Sequence, residues 1–224
     1  MHPDAHHQKD VFLTSEGNQW FQRNRSALDA PSALRDTVTH RIANHLAVTP
    51  AARVLEIGCG QGNNLAALAA LLPVEAHGLD PSQEAIHMGA ARFPSLALQT
   101  GSADALPYAD NSFDLVWFGF CLYLVDRPLL FKVVAEADRV LRDGGLLAIV
   151  DFDPAQPSRR PYHHHPGVHS YKMDHARLFL ANPAYVLVEK LSTSHTTGQW
   201  TADPQERVAL TLCRKNLEQA YVAV

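Results

Sequence analysis

The sequence is poor in cysteine, in long apolar runs and in features of a secretion signal. Of its 224 residues, 3 are cysteines, and Cys59, Cys121 and Cys213 form no CxxC pair, so we expect reduced thiols rather than a disulfide framework. The longest apolar run, Leu115 to Val125, is much shorter than the roughly 20 residues that cross a bilayer. The first residues contain neither a basic nor an apolar targeting region. These absences predict a cytoplasmic protein that does not span a membrane.

Basic charge is also scarce. The 19 Lys and Arg residues face 23 Asp and Glu residues, which gives a formal net charge of −4. Such a chain attracts a phosphate backbone weakly, so we expect no nucleic-acid partner. Histidine is abundant instead, with 13 residues that cluster at His2, His6 and His7 and again between His163 and His175.

Strand-like apolar runs alternate with helical stretches along the middle of the chain. This alternation is the pattern of βαβ units on a parallel sheet. The predicted strands are Val54–Ile57, Ala76–Leu79, Leu96–Leu98, Phe113–Phe118 and Leu146–Asp151. The predicted helices are Ala33–Leu46, Leu65–Leu72, Ser82–Arg92 and Arg127–Leu141. Asp143-Gly144-Gly145 predicts a stop between the last of these helices and its strand.

The composition changes beyond Asp151. Residues 153–169 are rich in Pro and His and have no period, and long connections of this kind are usually functional or disordered. We interpret them as a loop on the substrate side. A helix is predicted at Asp174–Leu180, and two β-rich runs, Tyr185–Leu191 and Arg207–Cys213, predict a closing hairpin.

A glycine-rich segment, Glu56-Ile57-Gly58-Cys59-Gly60-Gln61-Gly62, lies between a predicted strand and a predicted helix. Glycines allow a sharp turn and a close approach of the backbone to a ligand. Asp80 ends the next strand, where an acidic side chain can accept both hydroxyls of a ribose. The segment therefore predicts a site for a ribose-bearing cofactor, and the alternative is a tight turn without a ligand.

Four segments in this order resemble the motifs of the class I S-adenosylmethionine-dependent methyltransferases, in the methyltransferase type 11 group. They are Val54–Gly62, Gly78–Ser82, Gly101–Val116 and Val140–Leu146, and the resemblance covers roughly residues 50 to 152. It implies an α/β fold: a Rossmann-like seven-stranded, mostly parallel sheet with helices on both faces and an antiparallel last strand. It also implies S-adenosylmethionine as cofactor and S-adenosylhomocysteine as product.

The resemblance implies roles for individual residues. The turn at Gly58, Cys59 and Gly60 would lie against the methionine part of the cofactor, and Glu56 would order that turn. Further cofactor-binding candidates are Asp80 and Pro81 at the ribose, Asp104 at the adenine amino group with Ala103 and Ala105 along the ring, and Phe118 near the sulfonium. An aromatic face attracts a sulfonium cation, while the alternative for Phe118 and Phe120 is packing in the core.

The N-terminal segment falls outside the four motifs. Related enzymes often fold such a segment over the cofactor, so Trp20 and Arg23 are candidates for a lid that excludes water. The alternative is a helix packed on the edge of the sheet with solvated arginines. We predict a lid at residues 1–30 and a methyltransferase domain at residues 31–224, with a substrate-side insertion at residues 152–182.

Methyl transfer needs alignment of the reactants more than a nucleophilic triad. A general base helps when the acceptor carries a proton, and histidine is the usual choice near neutral pH. The catalytic candidates are Tyr123, His163, His165 and His169. The histidine-rich run could serve in catalysis, bind a metal or be a solvated loop. We predict no metal site, because ligand spacing is absent.

The sequence thus predicts methyl transfer to an oxygen or nitrogen of a small molecule by a monomer or homodimer without a membrane partner. Two alternatives remain: a methyltransferase acting on protein or tRNA, and a non-catalytic binding partner. A dehydrogenase fits poorly, because the loop is Gly-x-Gly-x-Gly and no Tyr-x-x-x-Lys pair follows.

Overall fold

The computed structural model describes residues 8–46 and 49–221. His2, His6 and His7, and with them the start of the predicted lid, lie outside these ranges. The helices are α1 (Gln8–Val11), α2 (Gly17–Asp29), α3 (Ala33–Leu46), α4 (Asn63–Ala69), α5 (Gln83–Arg92), α6 (Leu130–Val140) and α7 (Ala176–Leu180). The strands are β1 (Ala52–Ile57), β2 (Val74–Asp80), β3 (Ala97–Thr100), β4 (Phe113–Gly119), β5 (Leu141–Phe152), β6 (Ser158–Pro161), β7 (His169–Lys172), β8 (Tyr185–Ser194) and β9 (Arg207–Lys215). A π-helical stretch, Phe12–Glu16, joins α1 to α2.

The main sheet of the described residues has seven strands in the order β3-β2-β1-β4-β5-β9-β8. Strands β1 to β5 pair in parallel, and β9 runs antiparallel to both β5 and β8. The predicted α/β fold with an antiparallel last strand is confirmed. Two antiparallel pairings in succession leave β8 parallel to β1, so the carboxyl end of β8 lies at the same edge of the sheet as those of β1 to β5.

Apolar side chains cover both faces of the sheet. Alternate residues of each central strand point to opposite faces, and parallel strands covered on both sides read as nearly continuous apolar runs. One core cluster contains Val54, Trp117 and Ala148 with Val38 and Ile42 of α3. The other contains Leu55, Val116 and Ile149 with Val133 and Ala137 of α6. The sheet is thus a rigid platform for the loops at its edge.

The segment around Gly144 differs from the prediction of a stop. Helix α6 ends at Val140, and β5 begins at Leu141 without a connecting loop. The Leu141 side chain is fully buried, and Leu141 pairs with Phe113 of β4. Gly144 has a φ of 72° and lies inside the strand. The register between β4 and β5 shifts at this point. The two glycines therefore belong to an irregularity of the sheet.

The predicted loop at residues 153–169 contains regular structure. Strands β6 and β7 form a two-stranded antiparallel sheet in which Ser158 pairs with Lys172 and Pro161 with His169. Neither strand has a buried face, so the sequence carries no apolar alternation there. The hairpin lies within the predicted insertion at residues 152–182.

Helix α2 ends one residue before the predicted boundary of the lid at residue 30. The division into lid, domain and insertion stays a prediction. No helix within residues 8–46 and 49–221 is long and apolar enough to cross a bilayer.

Candidate functional site

A cavity of about 410 Å³ lies over the carboxyl ends of the parallel strands, where ligands of open α/β sheets bind. The loops after β1, β2, β3 and β4 all contribute to its wall. It brings together eight of the predicted cofactor residues: Trp20, Gly58, Cys59, Gly60, Asp80, Pro81, Ala103 and Asp104.

Two glycines of the loop after β1 have backbone angles that would strain any other residue. Gly58 has a φ of 78° and Gly60 a φ of 54°. A Cβ at Gly58 would lie 2.7 Å from the Cβ of Cys121, whereas a Cβ at Gly60 would meet no described atom within 4 Å. Gly58 thus allows close packing inside the protein, and Gly60 leaves its backbone open to the cavity.

Asp80 is held by the backbone at the end of β2. Its Oδ2 accepts a hydrogen bond from Gly60 N at 2.8 Å, and its Oδ1 accepts one from Ser82 N at 2.8 Å. Burial raises the pKa of Asp80 to about 6, against the effect of these two hydrogen bonds. The side chain is therefore an oriented acceptor that is mainly ionised at neutral pH.

Glu56 supports the glycine loop from below. It is fully buried and lies outside the described cavity lining. Its Oε1 accepts a hydrogen bond from Asn64 Nδ2 at 2.6 Å, and the absence of a side chain at Gly119 makes room for its carboxyl group. Burial raises the pKa of Glu56 to about 8. These contacts agree with a role in ordering the loop.

Asp104 follows β3 and is almost fully buried. Its Oδ1 accepts a hydrogen bond from Ser102 Oγ at 2.7 Å, and Lys9 Nζ lies 3.1 Å from its Oδ2. Burial alone would raise its pKa, but the hydrogen bond from Ser102 and the ammonium of Lys9 lower the pKa below its ordinary value. Sequence reasoning missed Lys9, because no local pattern connects it to a residue 95 positions away.

The N-terminal helices cover the cavity. Trp20 lines it together with Phe12 and Leu13, as expected of a lid. Arg23 lies outside the described lining. Its guanidinium pairs with the buried carboxylate of Glu16 and donates a hydrogen bond to Tyr162 Oη at 3.2 Å.

The Tyr162 hydroxyl in turn donates to Glu16 Oε1 at 2.9 Å. Gln8 makes a second connection, donating from Nε2 to Leu124 O and His169 O at 2.6 and 2.8 Å. The N-terminal helices are thus fastened to the insertion, while direct contact of Arg23 with the cofactor stays a prediction.

Phe120, rather than Phe118, reaches the cavity. Phe118 is fully buried and packs against Phe179 with ring centroids 6.0 Å apart. Phe120 lines the cavity with a φ of 59°, a left-handed conformation rare for an aromatic residue. Backbone strain of this kind often marks functional sites. Like Phe118, Ala105 lies outside the described lining.

The four predicted catalytic residues also lie outside the described lining of the cavity: Tyr123, His163, His165 and His169. His163 and His165 lie in the turn between β6 and β7, and His169 lies in β7. Tyr123 packs against Phe120 and Phe152 at centroid distances of 5.5 and 5.1 Å. Burial raises the pKa of Tyr123, which keeps its phenol protonated. A catalytic role for these residues stays a prediction.

One histidine that sequence reasoning passed over does line the cavity. His195 directly follows β8, and its Nδ1 lies 3.2 Å from Oε2 of Glu206. The predicted strand ended at Leu191, three residues short of its end in the structure. Extending the predicted strand by three residues, through Ser192, the β-branched Thr193 and Ser194, would have put His195 at the ligand-binding edge. Within residues 8–46 and 49–221, no group of three His, Cys, Asp or Glu side chains is placed to hold a metal ion.

Comparison with known proteins points in one direction. The family described as "Methyltransferase domain" matches residues 54–145. A demethylmenaquinone methyltransferase of Renibacterium salmoninarum is 36% identical over 122 residues, covering 54% of this chain and 49% of the relative. A 27-O-demethylrifamycin SV methyltransferase of Amycolatopsis mediterranei is 33% identical over 121 residues, covering 51% and 44%. The chain spans about half the length of these curated relatives.

Solved structures show the same fold over most of the chain. The 1,6-didemethyltoxoflavin-N1-methyltransferase of Burkholderia thailandensis, solved with 1,6-didemethyltoxoflavin and S-adenosylhomocysteine, has a TM-score of 0.72 at 17% identity. The match covers 92% of this chain and 88% of that one. Residues 54–145 match the methyltransferase domain family, and the order of the strands in the sheet agrees with that match.

Proposed function

We propose that the protein transfers a methyl group from S-adenosylmethionine to an oxygen or nitrogen of a small-molecule acceptor. The observation that carries this proposal is the shared cavity. Its wall combines the glycine loop, Asp80 and Asp104 with the aromatic side chains of Trp20 and Phe120. We call the part formed by the loops after β1, β2 and β3 the cofactor end, and the part beside Trp20, Phe120, Val150 and His195 the acceptor end.

The residues of the cofactor end fit S-adenosylmethionine. The open backbone at Gly60 leaves room for the methionine part. Asp80 has lone pairs for ribose hydroxyls beyond those used by Gly60 and Ser82, since each carboxylate oxygen accepts two hydrogen bonds. Asp104 offers a carboxylate to the adenine amino group. The cofactor supplies a methyl group already activated by its attachment to a sulfonium.

The protein's part in the reaction is to bind, align and exclude water. Phe120 and Trp20 present aromatic faces, which attract a sulfonium cation. The lid formed by α1 and α2 closes the cavity from above, and a dry site strengthens the electrostatic contacts within it. Fixed geometry of this kind can account for much of the acceleration in a displacement reaction.

A small, mainly apolar acceptor fits the other end. Apolar side chains dominate its wall, with Leu124, Val125 and Val150 beside Phe120. The whole cavity, with the cofactor end included, has a volume of about 410 Å³, within the range of about 300–1,000 Å³ for small-molecule pockets. The relatives named for demethylmenaquinone and a rifamycin derivative support a small-molecule acceptor.

Two measurements test the proposal. Calorimetry with S-adenosylhomocysteine should give saturable binding at one site per chain. Transfer of a labelled methyl group should then be found across a panel of phenols, alcohols and amines. Failure of S-adenosylhomocysteine to bind would contradict the proposal, and tight binding without transfer to any acceptor would favour a non-catalytic binding protein.

A further inference from the structure

His195 and Glu206 face each other at the edge of the sheet where ligands bind. His195 directly follows β8, and Glu206 directly precedes β9. The backbone N–H of His195 donates to Glu206 O at 3.0 Å, which extends the ladder between the two strands. Because β8 runs parallel to β1, its carboxyl end brings His195 to the cavity that the cofactor loops line.

The Glu206 carboxylate is fixed in front of the imidazole. Its Oε2 accepts hydrogen bonds from Thr196 Oγ1 at 2.6 Å and from Ser194 Oγ at 3.3 Å, and lies 3.2 Å from His195 Nδ1. A carboxylate beside Nδ1 favours the neutral tautomer with its proton on that nitrogen. Nε2 then carries the free lone pair and can accept a proton.

Aromatic rings connect His195 to the acceptor end. The imidazole packs against Phe152 at a centroid distance of 6.4 Å, and Phe152 packs against Phe120 at 4.9 Å. Phe120, Val150 and His195 all line the cavity. They lie over β4, β5 and β8, whereas Asp80 and Asp104 lie over β2 and β3. Rings placed in this way can stack on a flat aromatic acceptor.

We propose that His195 is the general base of the transfer, that Glu206 is its positioning residue, and that the acceptor is a mainly apolar aromatic molecule with a phenolic hydroxyl. The inference rests on the proposed function. Phenols have a pKa near 10, as tyrosine does, so an imidazole can assist their ionisation more readily than that of an alkyl alcohol.

The step balances without a further reactant. The acceptor oxygen forms a bond to the methyl carbon with a lone pair, the carbon–sulfur pair stays on sulfur, and the hydroxyl proton passes to Nε2 of His195. The imidazolium is stabilised by Glu206 and can release its proton to water, because 44% of the His195 side chain is exposed.

The other charged groups nearby come from two elements. Lys172 of β7 lies over the Phe152 ring at 3.5 Å and interacts electrostatically with Glu206 and Asp203. Asp203, in the segment before β9, acts on Glu206 in the opposite sense to His195. The hydrogen bond from Thr196 contributes most to lowering the pKa of Glu206, so the Glu206 carboxylate stays ionised at neutral pH.

Kinetics against pH tests the proposal with His195→Gln, Glu206→Gln and the control His87→Gln, which changes an exposed histidine on α5. In the wild type and control, kcat for a phenol should fall at acid pH as the base becomes protonated. His195→Gln should lower kcat about 10²- to 10⁴-fold, the usual contribution of general bases, and abolish that acid limb. Equal rates and equal pH profiles in His195→Gln and the wild type would overturn the assignment.

A readout independent of turnover separates the base from a structural role. The nitrogen NMR signals of the His195 ring, assigned by their loss in His195→Gln, should show the Nδ1–H tautomer at high pH. Glu206→Gln should reduce that population and lower kcat without changing KM. Unchanged tautomer populations would overturn the positioning role.

Calorimetry with S-adenosylhomocysteine should give the same dissociation constant for all variants. If the wild type methylates amines or alcohols but none of catechol, 4-nitrophenol and 1,4-dihydroxynaphthalene, the proposed acceptor class is wrong while the proposed function stands. If S-adenosylhomocysteine does not bind the wild type, the proposed function itself has failed.

Discussion

The cofactor end and the acceptor end of the cavity are built in different ways. At the cofactor end, short loops continue directly from β1, β2 and β3, and backbone N–H groups hold the carboxylate of Asp80. At the acceptor end, the wall comes from α2, from the segment after β4 and from the connection between β8 and β9. Long-range side-chain contacts, such as those of Gln8 with Leu124 and His169, keep these pieces together.

This difference in construction matches a difference between the two ligands: the cofactor has one fixed structure, whereas acceptors vary. A loop that follows a paired strand has its backbone fixed by the sheet, which suits a cofactor whose shape never changes. Segments joined by a few side-chain contacts can be replaced or repositioned without disturbing the sheet. Changes at the cofactor end should therefore abolish binding, whereas changes at the acceptor end should alter rates and selectivity.

Asp80→Ala should have the largest effect. The variant loses a carboxylate that would accept two charge-assisted hydrogen bonds, each worth about 1.5–3 kcal/mol. We expect binding of S-adenosylhomocysteine to weaken on the order of 10²-fold or more in calorimetry. Asp36→Ala, which changes an exposed aspartate on α3, is the control. An unchanged dissociation constant in Asp80→Ala would refute the ribose assignment.

Glu56→Gln should stabilise the protein, and more so at high pH. The pKa of Glu56 is about 8 in the folded chain against an ordinary value of 4.5. Between these values the unfolded chain releases a proton that the folded chain retains, so the contribution of Glu56 to stability falls as pH rises from 4.5 to 8. The glutamine is neutral and can still accept the hydrogen bond from Asn64.

Thermal unfolding at pH 5 and pH 8 measures this effect. The gain in Tm from Glu56→Gln should be several degrees at pH 8 and much smaller at pH 5, since one pKa unit corresponds to about 1.4 kcal/mol. Glu218→Gln, at an exposed position near the C-terminal end of the described chain, should show no such dependence. A loss of stability at pH 8 would mean that the buried carboxylate is ionised and paired.

The same division into a cofactor end and an acceptor end explains which site residues the sequence predicts. Gly58, Asp80 and Asp104 lie at or just after the ends of strands, positions that the alternation of strands and loops in the sequence predicts. Lys9 and Tyr162 make their contacts across 95 and 146 residues, and the His195 ring packs against Phe152 of another strand. No periodicity or spacing encodes such contacts. His195 could have been found from the length of β8, but Lys9 carries no local signal.

Tyr162→Phe should loosen the N-terminal helices without loosening the sheet. The change removes the hydroxyl that donates to Glu16 and accepts from Arg23, and leaves the ring packed against Phe12 at 6.2 Å. A net loss of about 1–2 kcal/mol is typical for such a hydrogen bond. Hydrogen exchange within residues 8–29 should become faster by about five- to thirty-fold, and S-adenosylhomocysteine should dissociate faster.

The matched control for this change is Tyr221→Phe, at an exposed tyrosine. Exchange in β1 and β4 should be the same in both variants and the wild type, because the sheet does not depend on the contact. Faster exchange throughout the sheet would show that the two ends are coupled more tightly than their contacts indicate.

Lys9→Met should give the smallest effect, at one of several contacts between the N-terminal helices and the cofactor end. Lys9 Nζ lies 3.1 Å from Asp104 Oδ2, and 31% of the lysine side chain is exposed. An exposed partner makes such a pair worth about 0.5–1 kcal/mol. If Asp104 binds the adenine amino group, Lys9 competes for the same oxygen, and its removal should tighten S-adenosylhomocysteine binding about two- to five-fold.

Lys132→Met, which removes a more exposed ammonium 3.6 Å from the same oxygen, should change binding less. Weaker binding in Lys9→Met would show that the lysine closes the lid over the cofactor instead of competing with it.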